Sequence, residues 1–144
     1  MKDEAEVIEQ VRAFNRFYTV LIGLLDDHLL NSDYSLAEVR ILYEIHAGKQ
    51  ISASQIIDTL NIDKGYMSRI LKKFIKDNLV FKQISKTDAR ISFLFLTEKG
   101  QKIFDQLNNA SNEQVGSLIK KLSLAEKQQL ALHLASIQQL LNKA

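Results

Sequence analysis

Residues 61–100, NIDKGYMSRILKKFIKDNLVFKQISKTDARISFLFLTEKG, decide the fold. The first half repeats apolar residues at helical spacing, and the second half switches to an extended period. In a helical projection of about 100° per residue, Met67, Ile70, Leu71, Phe74 and Asn78 share one side. Gly65, Arg69, Lys72 and Lys76 fall opposite, flanked by Ser68 and Lys73, on a helix running to about Asn78. Val80–Ser85 and Ile91–Leu96 are short runs rich in β-branched and aromatic residues, joined by the charged loop Lys86-Thr87-Asp88-Ala89-Arg90. That pattern predicts a β-hairpin directly after a helix with an apolar back and a basic front.

Working outward, helix starts are marked by hydroxyl residues that can accept from unpaired backbone N–H groups. Ser35-Leu-Ala-Glu38, Ser52-Ala-Ser-Gln55 and Ser123-Leu-Ala-Glu126 are capping boxes. They predict helices over about 35–47, 52–60 and 124–142. Gly48 follows the first of these, where a left-handed C-cap residue is expected. Thr97 caps a further helix over about 98–121, with Glu98 near its positive end. The first helix, from about Asp3 to Leu30, carries Val7, Val11, Phe14, Tyr18, Leu21 and Leu25 at alternating steps of four and three. Leu130, Leu134, Ile137 and Leu141 repeat that spacing near the other end, so both terminal helices read as packing seams. The fold expected is mainly α with a small β-hairpin wing. Residues 31–97 form a winged helix-turn-helix lobe, and 1–30 with 98–144 form a helical dimerisation lobe, within one domain spanning 1–144.

Composition narrows the function. The 144 residues contain no cysteine, which excludes disulfides, thiolate metal sites and thiol chemistry. No proline and only five glycines interrupt the helices. The formal net charge of +2 conceals a strong asymmetry. Residues 1–62 carry five basic and ten acidic side chains, whereas 63–90 carry eight basic and three acidic ones, a net of +5. A basic block on one helix face and one loop is an electrostatic footprint for nucleic acid. No targeting signal or apolar run long enough to span a bilayer is legible, so no membrane partner and a cytoplasmic location are expected.

The short helix 52–60, the link Asn61–Asp63 and the basic helix have the order of a helix-turn-helix, whose second helix enters the major groove of DNA. On it, Gly65 allows close approach to the duplex, and Lys64 lies at the positive N-terminus. Arg69 can fork to guanine O6 and N7, and Ser68 can bond several base edges. Lys72, Lys73 and Lys76 read as phosphate contacts. In the wing, Lys86 adds charge, and Arg90 is suited to a narrow A·T-rich minor groove. Asp88 would be repelled by phosphate, so its expected role is to hold the Arg90 guanidinium or the loop in place.

The segment Asp88-Ala-Arg90-Ile-Ser-Phe-Leu-Phe-Leu96-Thr97-Glu-Lys-Gly100 resembles the D-x-R…L-T-x-x-G signature of the MarR family of bacterial winged-helix regulators. Ser68-Arg69-Ile-Leu-Lys-Lys-Phe and Asn78-Leu79-Val80 are similar to that family's recognition helix and its exit into the wing. Asn78 departs from the glycine common there, but asparagine also tolerates left-handed backbone. The resemblance implies a homodimer with interlocked terminal helices on a pseudo-palindromic double-stranded operator. It also implies repression relieved by a small-molecule effector; no motif transfers the effector-binding residues, and no cofactor is expected.

Two other readings use different residues. Asp26-Asp27-His28, with His46 and His133, offers a base next to carboxylates. It lacks any accompanying nucleophile elbow, phosphate loop or zinc-protease motif, so no enzyme is expected. Asp26, His28, Glu44 and His46 carry oxygen and nitrogen donors that would meet if the first two helices converged. That defines an alternative, a metal-responsive regulator of the same fold, although no metal ligand is assigned. A helical protein-interaction module without DNA binding would explain the seams but not the basic block.

Overall fold

The computed structural model describes residues 1–29 and 32–143, excluding the side chains of 24–29. The chain divides into two compact units, Met1–Ala110 and Ser111–Ala144. Its elements are α1 (Glu4–Leu29), α2 (Leu36–Ala47), β1 (Ile51–Ser52), α3 (Ala53–Leu60), α4 (Lys64–Lys76), β2 (Val80–Ile84), β3 (Ser92–Leu96), α5 (Glu98–Leu118) and α6 (Leu124–Leu141). The all-helical frame with a hairpin wing is as expected. All three capping boxes form, with Ser35, Ser52 and Ser123 accepting from the backbone N–H three residues on.

Within the first unit, the core gathers Ile41, Leu42 and Ile45 of α2 with Ile56 of α3. Met67, Ile70, Leu71 and Phe74 of α4 join them, with Leu79, Val80, Leu94, Phe104 and Leu107. The apolar side read from α4 is thus the buried side. Burying a large aliphatic or aromatic side chain contributes about 1.5–3 kcal/mol, so four such residues fix the helix's rotation and leave its basic side outward.

The sheet is antiparallel in the order β1-β3-β2, with Val80 opposite Leu96, Lys82 opposite Leu94 and Ile51 opposite Leu94. β1 has no sequence signal, being two residues long. Its second residue, Ser52, is also the N-cap of α3. Gly48 corrects the expected left-handed cap: its φ of −76° and ψ of 138° are extended. Glycine is needed there for space, because a Cβ would lie 2.7 Å from the Ile51 Cβ.

Left-handed backbone occurs at Asn61, with φ 50°, and Asn78, with φ 60°. Asn78 ends α4 two residues beyond Lys76. The N–H of Leu79 donates to the Phe74 carbonyl at 2.8 Å and that of Asn78 to Ile75 at 3.1 Å, a Schellman closure. Thr97 then joins the wing exit to this turn. Its hydroxyl donates to the Asn78 carbonyl at 2.6 Å and accepts from the Gly100 N–H at 2.9 Å. Its own N–H donates to the Leu79 carbonyl at 2.9 Å. Lys99 Nζ donates to the Asp77 carbonyl at 2.9 Å, placing a cation at the negative end of α4.

α1 exposes Val7, Ile8, Val11, Phe14, Phe17 and Tyr18. In the second unit, α6 has no buried residue and exposes Leu130, Leu134, Ile137 and Leu141 among others. Among the described residues, no helix is long and apolar enough to cross a membrane.

Gly100→Ala places a Cβ 2.0 Å from the Leu79 carbonyl oxygen, a backbone atom that cannot swing aside. We expect a loss of about 1–3 kcal/mol in urea unfolding; an unchanged midpoint would contradict this packing. Asn78→Val is expected to cost about 1–2 kcal/mol through its left-handed φ, with Asn78→Gly close to neutral.

Candidate nucleic-acid interface

The buried side of α4 determines which of its polar residues face outward. Lys64, Gly65, Ser68, Arg69, Lys72 and Lys76 are all exposed. Asp63 caps the helix, accepting from the Tyr66 N–H at 2.9 Å. A hollow beside α4 is bordered by Ser54 of α3, Lys64, Ser68 and Lys72 of α4, and Lys82 of β2. A second hollow, toward the wing, is bordered by Ser52, Ser54, Gln55, Lys82, Arg90 and Ser92. Lys82 and Ser54 border both, so the basic helix and the Arg90 side of the wing form one continuous cationic surface.

Sequence reading assigned Lys82 no contact. Its signal is the strand alternation, which puts it on the same side of β2 as the buried Val80 and opposite the buried Leu94.

Lys73, expected among the phosphate contacts, is engaged within the chain. Its Nζ lies 2.8 Å from Glu38 Oε2 on α2 and 5.2 Å from the centre of the Tyr34 ring. Hydrogen bonding to Glu38 holds the Lys73 ammonium above the usual lysine range, against a smaller opposing effect of burial. Glu38 also completes the α2 capping box through Oε1. One carboxylate therefore ties α4 to the start of α2. Burial raises the neighbouring Tyr34 phenol, with Asp77 adding to the effect. Lys86 is also separate, bordering a hollow with Gln50, Gln83, Phe93 and Phe95.

The wing loop is built around Asp88. Its Oδ1 accepts from the Arg90 backbone N–H at 3.0 Å and from Nε at 3.1 Å, while Oδ2 accepts from Nη2 at 3.2 Å. The Arg90 side chain is 90% exposed, so this fork projects it rather than burying it. Ser85 closes the loop from the other side, accepting from the N–H groups of Thr87 and Asp88.

The donors considered for metal or base chemistry are only partly described. Asp26, Asp27 and His28 have side chains outside the described residues. His46 Nδ1 lies 3.1 Å from Gln101 Oε1, and its ring stacks on Phe104 at 4.4 Å. His133 is exposed on α6. Among the described residues no three potential ligands cluster.

A helix pair, a short sheet and an arginine-bearing loop in this arrangement define a winged helix-turn-helix. The MarR family model matches residues 32–91 of the chain. It is 28% identical over 92 residues to the HTH-type transcriptional regulator BilQ of Clostridium symbiosum, covering 62% of this chain and 64% of the relative. It is 31% identical over 87 residues to the HTH-type transcriptional regulator PetP of Rhodobacter capsulatus, covering 60% and 50%. The chain thus spans from half to just under two thirds of these relatives. The solved structure of a mutant MarR from E. coli complexed with operator DNA has a TM-score of 0.74 to this chain. It is 22% identical and covers 94% and 99% of the two chains. At that identity the likeness concerns the fold.

The Arg90 hydrogen bonds, with its side chain the largest cause, hold the Asp88 carboxyl below the usual carboxylate value. A lowered pKa means the fork is present at neutral pH and lost as pH falls through that lowered value. A carboxyl NMR titration should give a low Asp88 midpoint that rises toward 3.8 in Arg90→Ala. An unmoved midpoint would disprove the pairing in solution.

Proposed function

We propose that this protein is a sequence-specific double-stranded DNA-binding transcriptional regulator, acting as a homodimer on a pseudo-palindromic operator. The observation that carries the reading is the continuous cationic surface from α4 through Lys82 to the projecting Arg90. In this reading Lys64, Lys72, Lys76 and Lys82 meet phosphates, and Lys86 adds charge from the wing. Ser68 and Arg69 face base edges in the major groove, Gly65 allows the close approach, and Arg90 enters the adjacent minor groove.

The relatives' names, and the operator DNA in the MarR mutant structure, support the same class of activity. Residues 31–97 supply the reading lobe. The exposed apolar stripes of α1 and α6 support a dimer, since surfaces of that kind mark protein contacts. Repression relieved by a small-molecule effector enters through the resemblance alone.

Selection from a random duplex pool tests the reading. A palindromic consensus is expected, with log affinity falling against log salt at about −0.9 per phosphate neutralised. Four lysines on each of two subunits give a slope of about −7. A flat salt response with no consensus would exclude DNA as the partner. Arg90→Ala should weaken binding most where half-site flanks are A·T-rich. Lys82→Ala should reduce the slope by about one unit per subunit; Lys73→Ala should leave it nearly unchanged.

A further inference from the structure

Among the exposed cations of α4, Arg69 is distinguished by what holds it. Its guanidinium carbon lies 6.0 Å from the centre of the Tyr66 ring. Its Nη1 extends over Gly65, 3.6 Å from where a Cβ would stand on that residue. The side chain therefore runs back toward the start of the helix, across a position with no side chain, along an aromatic face.

Tyr66 is itself anchored. It is partly buried against the core and lines a hollow with Leu36, Leu60 and Ile62. Its ring gives a rigid surface three residues before Arg69, the separation at which helical side chains meet. A cation over an aromatic face is held without using a hydrogen-bond donor. Among the described residues Arg69 makes no hydrogen bond or ion pair, so all five of its N–H donors remain available. Arg90 differs, since Asp88 engages its Nε and Nη2. Lys64, Lys72 and Lys76 have no comparable aromatic contact among the described residues.

An arginine oriented in advance with a free fork is suited to one rigid, planar target. Guanine offers O6 and N7 side by side on the major-groove edge. We propose that Tyr66 is a positioning residue that sets Arg69 to read guanine, one base pair in each half-site. This inference rests on the DNA-binding reading and adds to it a determinant of specificity and the base it selects.

The test compares duplexes selected by the wild type, Tyr66→Leu, Tyr66→Phe and Arg69→Lys, with the salt slope measured for each. Leucine retains apolar bulk in the hollow, phenylalanine retains the ring, and lysine alters only an exposed side chain. Tyr66→Leu and Arg69→Lys are expected to lower the preference for guanine at that position about tenfold. Their salt slopes should stay unchanged, because the phosphate contacts remain. Tyr66→Phe should keep the wild-type preference. A wild-type preference in Tyr66→Leu, or its loss in Tyr66→Phe, would overturn the role of the ring. An undiminished preference in Arg69→Lys would overturn the role of the fork even if Tyr66→Leu failed to fold. In each of these cases a wild-type consensus leaves the DNA-binding reading standing, whereas a wild type that selects no consensus removes both.

Discussion

The Thr97 hydroxyl is the joint on which the geometry of α4, the sheet and α5 depends. It donates to the turn that closes α4 through the Asn78 carbonyl and accepts from the first turn of α5 through the Gly100 N–H. The second of these bonds satisfies one of the N–H groups that the start of a helix leaves unpaired. It does so only because Gly100 admits the Leu79 carbonyl closely. The L-T-x-x-G spacing is therefore a physical unit: threonine makes the bonds, and glycine three residues on removes the obstacle. With Lys99 on the Asp77 carbonyl, the end of α4 is tied directly to the start of α5. A displacement of that first turn of α5 would carry the end of α4 with it.

The surface built on this joint separates its charges by role. Lys73 is bound to Glu38 and packs by Tyr34, so its ammonium serves the attachment of α4 to α2. Arg90 is braced by a carboxylate that leaves most of its side chain in solvent. Arg69 lies over an aromatic ring and, among the described residues, has no hydrogen-bond or ion-pair partner. These are three ways of constraining a long cationic side chain, and each leaves a different fraction of its hydrogen-bonding capacity for a partner. Charge counts alone treat them as equal.

Much of this was legible before any coordinates. The three capping boxes, the buried side of α4 and the hairpin follow from local chemistry that acts within a few residues. Asp88 as the brace of Arg90 was legible because the pair is two residues apart. What was missed depends on distant partners. The Glu38–Lys73 pair joins residues 35 positions apart, and helical projection put Lys73 only at the edge of the basic side. β1 is too short to show a period and exists because Ile51 meets Leu94. Gly48 looked like a cap because glycine commonly ends helices, but the approach of Ile51 is what excludes a side chain there. Lys82 was counted in the basic block, yet its place in the surface follows only from the register of β2.

Ser52 closes the sheet as the last residue of β1 and opens α3 as its cap, so the wing and the helix pair share a residue with no linker between them. β3 pairs with β2 along its length and with β1 at Phe93 and Leu94, and Ser85 and Asp88 brace the turn of the wing. The consequence is entropic. Little backbone remains to be ordered when a partner binds, and the conformational cost falls on the exposed lysine side chains. Losses of that kind are local, amounting to about 0.5–1.5 kcal/mol per immobilised side chain. Affinity for a charged surface could then be adjusted one lysine at a time, with the frame that presents them left unaltered.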